Sequence, residues 1–284
     1  MPFAANVDEL AGMVLLSLAL SANVWASDPV TTAIEQAQAA AVRKNRQEAV
    51  TTLNKAIEAA APPLRGRVKL IEAENSIAKI FFTDKGQRLF EAGQSSMYDT
   101  PDTAFNQYRE ALNLEDNNIL VLNNIARVQL IKQDCAGAQT TLAKARSLYA
   151  YAPETALLEL RTALCQKNAE AFREKLKTLP ALEKGQEMYV QYFSAQDFLQ
   201  QKMWRRASDI LQKVSEEDPK FPETYIYLAK AGEELGRDVE QWQSKYVALC
   251  KGVSLRERKR YAMEPQLCAQ VKEVESALSK KSDL

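Results

Sequence analysis

Apolar residues recur along most of the chain at intervals of three and four positions, the spacing of helices that bury one face. The stretch 204–237, WRRASDILQKVSEEDPKFPETYIYLAKAGEELGR, shows the pattern clearly. Ala207, Leu211 and Val214 form the apolar face of one helix, and a second helix follows the break at Pro219. Alternation typical of strands is hard to find anywhere, and Ala, Leu, Lys, Glu and Gln dominate, which are good helix formers. We therefore predict an all-α protein.

The same pattern of small and apolar residues returns along the chain. Ala207 is followed by Leu211 four positions later and by Val214 seven positions later. The corresponding small residues of the other units are Ala49, Ala104 and Ala138. The step from the second to the third of these is 34 residues, and the step from there to Ala207 is 69, which is two periods plus one. A repeat of about 34 residues is indicated, and the alternative is a non-repetitive helical bundle.

This pattern resembles the tetratricopeptide repeat (TPR), a helix–turn–helix unit of 34 residues whose small residues let neighbouring helices approach closely. The best matches are YIYLAKAGEELGR (225–237) with ASDILQKVSEEDP (207–219), LNNIARVQL (122–130) with AQTTLAKA (138–145), and AFNQYREALNLED (104–116). The resemblance covers residues 30–250 unevenly. It implies a solenoid of helical hairpins that forms a right-handed superhelix.

The quality of the match differs between units. Good units lie at about 85–118, 119–152 and 188–221, and partial units at 30–63 and 222–251. The unit at 153–187 is degenerate, since AEAFREKL (169–176) places its small residue one position early, and LRGRVKLIEAENSIAKIFF (64–82) is predicted to be one long extra helix. The predicted divisions are 1–26, a signal; 27–84, degenerate TPR-like helices; 85–251, the TPR solenoid; and 252–284, a capping helix and tail.

The longest apolar run, LAGMVLLSLALSANVWA, occupies residues 10–26. It is shorter than a membrane-spanning helix needs, and small residues precede Ser27, so we predict a secretory signal cleaved after Ala26. Lys and Arg are absent ahead of the run, where Asp8 and Glu9 stand instead, which fits the pattern poorly. An uncleaved membrane anchor and a buried helix stay as alternatives. The predicted location is periplasmic or secreted.

Charge and composition limit the chemistry. With 37 Lys and Arg against 37 Asp and Glu, the chain has no net charge that would attract nucleic acid. Histidine is absent, which removes histidine-based acid–base catalysis and histidine metal ligands. Phosphate-loop, nucleophile-elbow and dinucleotide-binding motifs are also absent. We expect no cofactor, no metal and no enzymatic activity, and the alternative is a cell-wall enzyme with accessory repeats.

The positions of the four cysteines in the TPR-like repeats indicate which of them pair as disulfides. Cys135 falls in the turn of one unit and Cys165 at the end of the first helix of the next, which stacking brings to the same edge. A bridge from Cys250 to Cys268 would fold the C-terminal helix back over the last repeat as a cap. We predict disulfides Cys135–Cys165 and Cys250–Cys268, as expected outside the cytosol. The alternative is four buried free thiols in a cytosolic solenoid.

The resemblance also implies that the first helices line a concave groove in which a partner binds. The predicted groove residues are Asn123, Asn124, Arg127, Tyr189, Tyr192, Phe193, Gln196, Tyr227 and Lys230. The alternative for the aromatic residues Tyr192, Phe193 and Tyr227 is that they pack against neighbouring helices or under the terminal cap. The clamp with which some TPR proteins hold a terminal carboxylate is not indicated. Asn124 matches one of its positions, but Leu89, Gly93, Glu154 and Leu158 do not.

The sequence therefore predicts an exported scaffold whose groove binds another envelope or secreted protein, or an extended peptide. The alternative is a structural subunit of an envelope assembly that uses its convex face or an edge. The basic run RERKR (256–260) is predicted to be a solvated helix face. A membrane is expected as a partner only through an uncleaved signal.

Overall fold

The computed structural model describes residues 28–60 and 64–282. The predicted signal at residues 1–26 lies outside the described residues. The described chain forms fifteen helices and no strand, which confirms the all-α prediction. They are α1 (Pro29–Val42), α2 (Arg46–Ala59), α3 (Leu64–Lys79), α4 (Asp84–Ser96), α5 (Pro101–Leu114), α6 (Ile119–Ile131), α7 (Cys135–Leu148), α8 (Pro153–Cys165), α9 (Ala169–Lys177), α10 (Glu187–Gln200), α11 (Trp204–Glu217), α12 (Pro222–Glu234), α13 (Glu240–Lys251), α14 (Leu255–Arg260) and α15 (Val271–Ser282). None of the described helices is long and apolar enough to cross a membrane.

The turns inside five helical hairpins share one backbone conformation. In each, a residue with positive φ follows the first helix: Lys44, Gln133, Lys167, Lys202 and Gly236. The next amide donates to a carbonyl five residues earlier, as Asp134 N does to Gln129 O and Asn168 N to Ala163 O. This bond satisfies a carbonyl that the helix end leaves unpaired. The last four of these turn residues are 34, 35 and 34 positions apart, so the backbone repeats at the period that the sequence predicts.

Chain contacts divide the protein into two compact units between Ala73 and Glu74, within α3. In the first unit, α1 packs against α2. Alanines of α1 face larger side chains of α2, and Ala37, Ala40 and Leu53 are buried completely. The sequence-based division after residue 84 concerns the repeat register and stays a prediction.

The second unit is a TPR-like array of consecutive helical hairpins. The two helices of each hairpin, α4/α5, α6/α7, α8/α9, α10/α11 and α12/α13, pack against each other. The first helices of successive hairpins also touch, α6 against α8, α8 against α10, and α10 against α12. We call the side of the array formed by α4, α6, α8, α10 and α12 the first-helix face. At the end of the array, α15 packs against α13.

Individual elements follow the sequence closely. The long helix predicted for residues 64–82 is confirmed as Leu64–Lys79. The degenerate unit keeps its hairpin, but its second helix, α9, has only nine residues. The stretch 204–237 contributes the second helix of one hairpin, α11, and the first helix of the next, α12.

Small residues set how closely the helices of a hairpin approach. The repeated alanines Ala104, Ala138 and Ala207 are fully buried. Gly93 of α4 lies directly against the ring of Tyr108 of α5, and a Cβ built on this glycine would stand 2.6 Å from Tyr108 Cε1. The Tyr108 ring is itself fully buried and cannot move aside without disturbing its neighbours.

Replacing Gly93 with alanine should therefore destabilise the second unit. Overpacking a close-packed site costs about 1–3 kcal/mol, which exceeds the gain of up to about 1 kcal/mol in helix propensity. We expect a lower free energy of unfolding in urea. Gly252→Ala is the control, because the nearest atom to its added methyl is Leu249 O at 3.9 Å. Equal stabilities of the two variants would contradict the close approach.

Candidate functional site

A segment of the protein's own C-terminal region lies against the first-helix face. We call residues 258–268, RKRYAMEPQLC, the C-terminal segment. It comprises the end of α14 and the irregular turns that follow. The helix α14 begins with a capping box, in which the Ser254 hydroxyl and the Glu257 carboxylate bond to each other's backbone amides. This local sequence fixes the direction in which the segment enters the face.

The first-helix face binds main-chain carbonyls of the C-terminal segment. A short helix leaves its last carbonyls without intrahelical partners, so these groups need donors from elsewhere. Side chains of α6 and α10, and one in the α4–α5 turn, supply them. The hydrogen bonds run from the Tyr98 hydroxyl to Arg258 O (3.4 Å), from the Tyr189 hydroxyl to Arg260 O (3.0 Å) and from Arg127 Nε to Ala262 O (3.0 Å).

Glu264 anchors the segment in the interior. Its carboxylate accepts hydrogen bonds from Arg161 of α8 (3.2 Å) and from the Tyr192 hydroxyl of α10 (3.0 Å). The Glu264 side chain is 2 % exposed and that of Arg161 is 10 % exposed, so the ion pair is buried. Burial by itself lowers the pKa of the Arg161 guanidinium, but the Glu264 carboxylate together with the hydroxyls of Tyr227 and Tyr192 outweighs this, and the pKa is raised above its usual value. Arg161 therefore remains charged and requires this partner.

Asp218, the residue that follows α11, makes a second anchor. Its carboxylate forms an ion pair with Arg260 at 2.8 Å and accepts a hydrogen bond from the Tyr261 hydroxyl at 3.1 Å. The ring of Tyr261 packs on Phe221, with 4.9 Å between the ring centroids. The break between α11 and α12 thus positions one anchor of the segment. Burial raises the pKa of the Tyr261 hydroxyl, which keeps it a donor.

The Cys250–Cys268 disulfide fixes the end of the segment. Its Cα atoms are 5.6 Å apart, and those of Cys135–Cys165 are 5.8 Å apart, so both predicted pairs lie at disulfide distance. Cys268 has a φ of 63°, a left-handed conformation that is unfavourable for a residue with a side chain. Its amide donates to the Glu223 carboxyl of α12. The disulfide and this hydrogen bond together hold the unfavourable conformation.

Glu223 carries the most perturbed acidic group at the site. Burial, followed by the nearby Glu264 carboxylate, raises its pKa to about 8. The Cys268 amide, Arg161 and Lys230 act in the opposite direction. Near neutral pH the Glu223 carboxyl therefore keeps a proton, which limits the negative charge in this interior.

Two clefts remain open on the face. The larger, of about 610 Å³, is bordered by the C-terminal segment and lined among others by Phe90, Gln94, Asn124, Arg127, Lys184 and Tyr189. The smaller, of about 330 Å³, is lined among others by Gln196, Trp204, Tyr227 and Lys230. Six of the nine predicted groove residues thus line a cleft, and whether they bind a partner stays a prediction.

The other three predicted groove residues, Asn123, Tyr192 and Phe193, are buried and do not project into an open groove. Asn123 is buried between α6 and α8, where its Oδ1 accepts a hydrogen bond from the Thr155 hydroxyl at 3.0 Å. Tyr192 and Phe193 are fully buried beneath the C-terminal segment and the neighbouring helices, with 4.8 Å between the ring centroids of Tyr192 and Phe221. These aromatic residues follow the alternative interpretation of packing under the cap.

The remaining predicted residues are partly engaged within the protein. Arg127 forms an ion pair with Glu154 and donates to Asn124 Oδ1 at 3.1 Å, besides its bond to the C-terminal segment. Lys230 is exposed and its ammonium lies 5.2 Å from the centre of the Tyr227 ring.

The basic run 256–260 also requires a correction. The guanidinium of Arg258 lies 4.8 Å from the centre of the Tyr98 ring, and that of Arg260 pairs with Asp218. These two residues hold the C-terminal segment in place and are not only a solvated face.

Three of the residues that bind the C-terminal segment, Arg127, Tyr189 and Tyr192, were named from the sequence as groove residues. Sequence reasoning missed Tyr98, Arg161 and Asp218. Arg161 gave the one available signal, because it is the lone cation in the mostly apolar stretch TALLELRTALC, whose other charged residue is Glu159. A charged residue on an apolar helix face indicates a buried partner. The described residues contain no group of three or more cysteine or acidic side chains that could hold a metal ion.

Comparisons with known proteins are sparse. No family model matches the chain, and no curated protein matches it. Among solved structures, a tetratricopeptide repeat protein from Parabacteroides merdae ATCC 43184 is 16 % identical, with 90 % of this chain and 93 % of that chain covered and a TM-score of 0.42. Yeast Tom70 is 15 % identical, with 95 % of this chain and 61 % of that chain covered and a TM-score of 0.44. Both TM-scores are below 0.5, so the TPR-like description rests on the helices and turns of this chain.

The stability of the second unit should depend on the protonation of Glu223. Its folded pKa of about 8 lies above the ordinary 4.5, so the native state retains a proton that the unfolded chain loses. This contribution to stability is present below about pH 4.5 and is lost as the pH rises through about 8. Glu223→Gln stays neutral and keeps an oxygen that accepts from the Cys268 amide.

We therefore expect the stability of Glu223→Gln relative to wild type to rise between pH 5 and pH 9, by on the order of a few kcal/mol. Urea unfolding at several pH values measures this difference. Burial also raises the pKa of Glu74, to about 7, but Glu74 is present in both proteins and its effect cancels. A difference that does not change with pH would contradict the buried, protonated state of Glu223.

Proposed function

We infer that the protein is a helical-repeat scaffold that binds a segment of a partner protein on its first-helix face. One observation carries this inference. The face already binds a polypeptide segment, the protein's own residues 258–268, through side chains that donate to main-chain carbonyls. Contacts of this kind can be made to any polypeptide of suitable conformation, whatever its side chains.

The larger cleft offers a partner segment the same chemistry beside the C-terminal segment. Phe90 and Tyr189 supply apolar and aromatic area, which anchors side chains at low cost in entropy. The exposed Lys184 supplies hydrogen-bond donors, and Glu154 and Glu217 supply acceptors. A lining with both signs of charge suits a polypeptide with polar main-chain groups better than a nucleic acid.

Export is part of this proposal. Two cysteine pairs at disulfide distance support an oxidising compartment, because such bonds are rare in the cytosol. The apolar run at residues 10–26 supports the same location. The partner is then another envelope or secreted protein, and the compartment the periplasm or the exterior.

In-cell photo-crosslinking tests the surface that the partner uses. A photoreactive amino acid in place of Gln94 or Lys184, both in the larger cleft, should give crosslinks to the same partner protein, identified by mass spectrometry. Lys213, exposed on α11 and outside both clefts, is the matched control and should give none.

Two outcomes would contradict the proposal. Crosslinks from the Lys213 position alone would favour the structural subunit that assembles through its outer surface. Crosslinks from none of the three positions, with the protein correctly localised, would remove the cleft as the binding site. Recovery of the tagged protein only in the cytosol would separately overturn export.

A further inference from the structure

We propose that the C-terminal segment is an internal ligand of the first-helix face, and that the competing external ligand is a polypeptide segment with a carboxylate placed as Glu264 is. In such a ligand a helical turn is followed about four residues later by an acidic side chain. This inference rests on the proposed function in one respect, since it takes the first-helix face to be the binding surface.

The contacts of the segment are of two kinds. Bonds to its main chain could form with any ligand, and bonds to its Glu264 side chain select a ligand with an acidic residue. Three carbonyls of the segment are bound by Tyr98, Tyr189 and Arg127, and these contacts require only the correct backbone. The carboxylate of Glu264 is different, because it bonds to both the Arg161 guanidinium and the Tyr192 hydroxyl and carries a negative charge. The Gln266 amide oxygen, 3.4 Å from the Arg161 guanidinium, is neutral. Backbone contacts therefore give affinity, and Arg161 gives selectivity for an acidic side chain.

The burial of Arg161 makes this selectivity strong. Arg161 is 8 % exposed, and removing one partner of a buried ion pair leaves an uncompensated charge that is strongly unfavourable. A segment that leaves the face must be replaced by one that brings its own carboxylate. Neutral and basic segments are disfavoured at this position for the same reason.

The Cys250–Cys268 disulfide determines how well the internal ligand competes. It ties the end of the segment to α13 at a separation of 18 positions along the chain, and residues 252–257 tie the start of the segment to the same helix. Attachment at both ends keeps the segment near its site at an effective concentration on the order of millimolar or above. An external segment at micromolar concentration therefore competes poorly while the disulfide is intact.

The larger cleft gives an external segment a place to enter. Residues Lys259 to Met263 of the C-terminal segment form part of its lining, so a bound partner would touch the internal ligand directly. The outer contacts are the more accessible ones, since the Arg260 side chain that pairs with Asp218 is 58 % exposed. Release can begin there, while Glu264 is still in place.

A synthetic peptide provides a direct test with the full chain. The probe is fluorescently labelled RKRYAMEPQL, the sequence of residues 258–267, and its binding is measured by fluorescence anisotropy. Cys250→Ser with Cys268→Ser frees the C-terminal end of the segment, which is then held to α13 only by the chain at residues 252–257. We expect this variant to bind the peptide at least about tenfold more tightly than wild type, because the loop that the disulfide closes is then open. A peptide with Gln in place of the glutamate should bind the same variant at least about tenfold more weakly.

Matched controls separate release of the segment from general loosening. Cys135→Ser with Cys165→Ser removes the other disulfide, which does not touch the segment, and should leave peptide binding at the wild-type level. Circular dichroism and a cooperative thermal transition check that each variant is folded. If the Cys250/Cys268 variant does not fold, Glu264→Gln with both disulfides intact replaces it, with exposed Glu273→Gln as its control. The Glu264→Gln variant should also bind the peptide more tightly than wild type.

The inference is overturned if a folded variant with a released segment binds the peptide no more tightly than wild type, or binds the glutamate and glutamine peptides equally. Neither result affects the proposed function, because the experiment contains no partner protein. Conversely, failure to crosslink a partner through Gln94 and Lys184 would leave the peptide result unchanged.

Discussion

The buried ion pair between Arg161 and Glu264 is the interaction on which the arrangement of the first-helix face depends. Arg161 lies on α8, in the middle hairpin of the second unit, where stacked neighbours remove it from water. A guanidinium in this position is tolerable only if a carboxylate reaches it. Glu264 arrives from more than one hundred residues away and brings the C-terminal segment with it. The aromatic residues beneath the segment are then covered, and the face becomes a closed interior over part of its length.

The first-helix face is therefore not an empty groove, because the protein's own C-terminal segment occupies part of it. In a bare array of hairpins, the first-helix face would offer Arg127, Tyr189 and Tyr192 directly to a partner. Here these residues bind the protein's own chain, and the larger open cleft is bordered by that contact. The C-terminal region is consequently both a cap on the last repeat and an occupant of the face. Its disulfide, its capping box and its buried glutamate all act to keep it there.

The fold could be predicted largely from the sequence because the repeat is a local property. Spacing of Ala104, Ala138 and Ala207 gave the register, and the positive φ at Gln133, Lys167 and Lys202 follows from how such helices end. The two cysteine pairs could be inferred once the register placed their ends at common edges. Each of these conclusions depends on residues that are close in sequence or related by the period.

The site was predictable only in part, because its contacts join residues far apart in sequence and involve a segment outside the repeats. The register identified which side chains project from the first helices, and six of the nine named residues do line a cleft. It could not show that residues 258–268 return across those helices, because that segment has no counterpart in the repeat. Arg161 is a cation among mostly apolar residues, but neither it nor Glu264 indicates the other without the fold.

A double-mutant cycle on Arg161 and Glu264 tests the central claim most directly. Arg161→Met and Glu264→Gln would each leave one buried polar or charged group without its partner, and each should lower the free energy of unfolding by about 3–5 kcal/mol. The double variant should lose much less than the sum of the two, because neither uncompensated group remains. Costs that add within about 0.5 kcal/mol would show that the two residues act independently. That result would contradict the account, because the C-terminal segment would then not be held on the first-helix face by this pair.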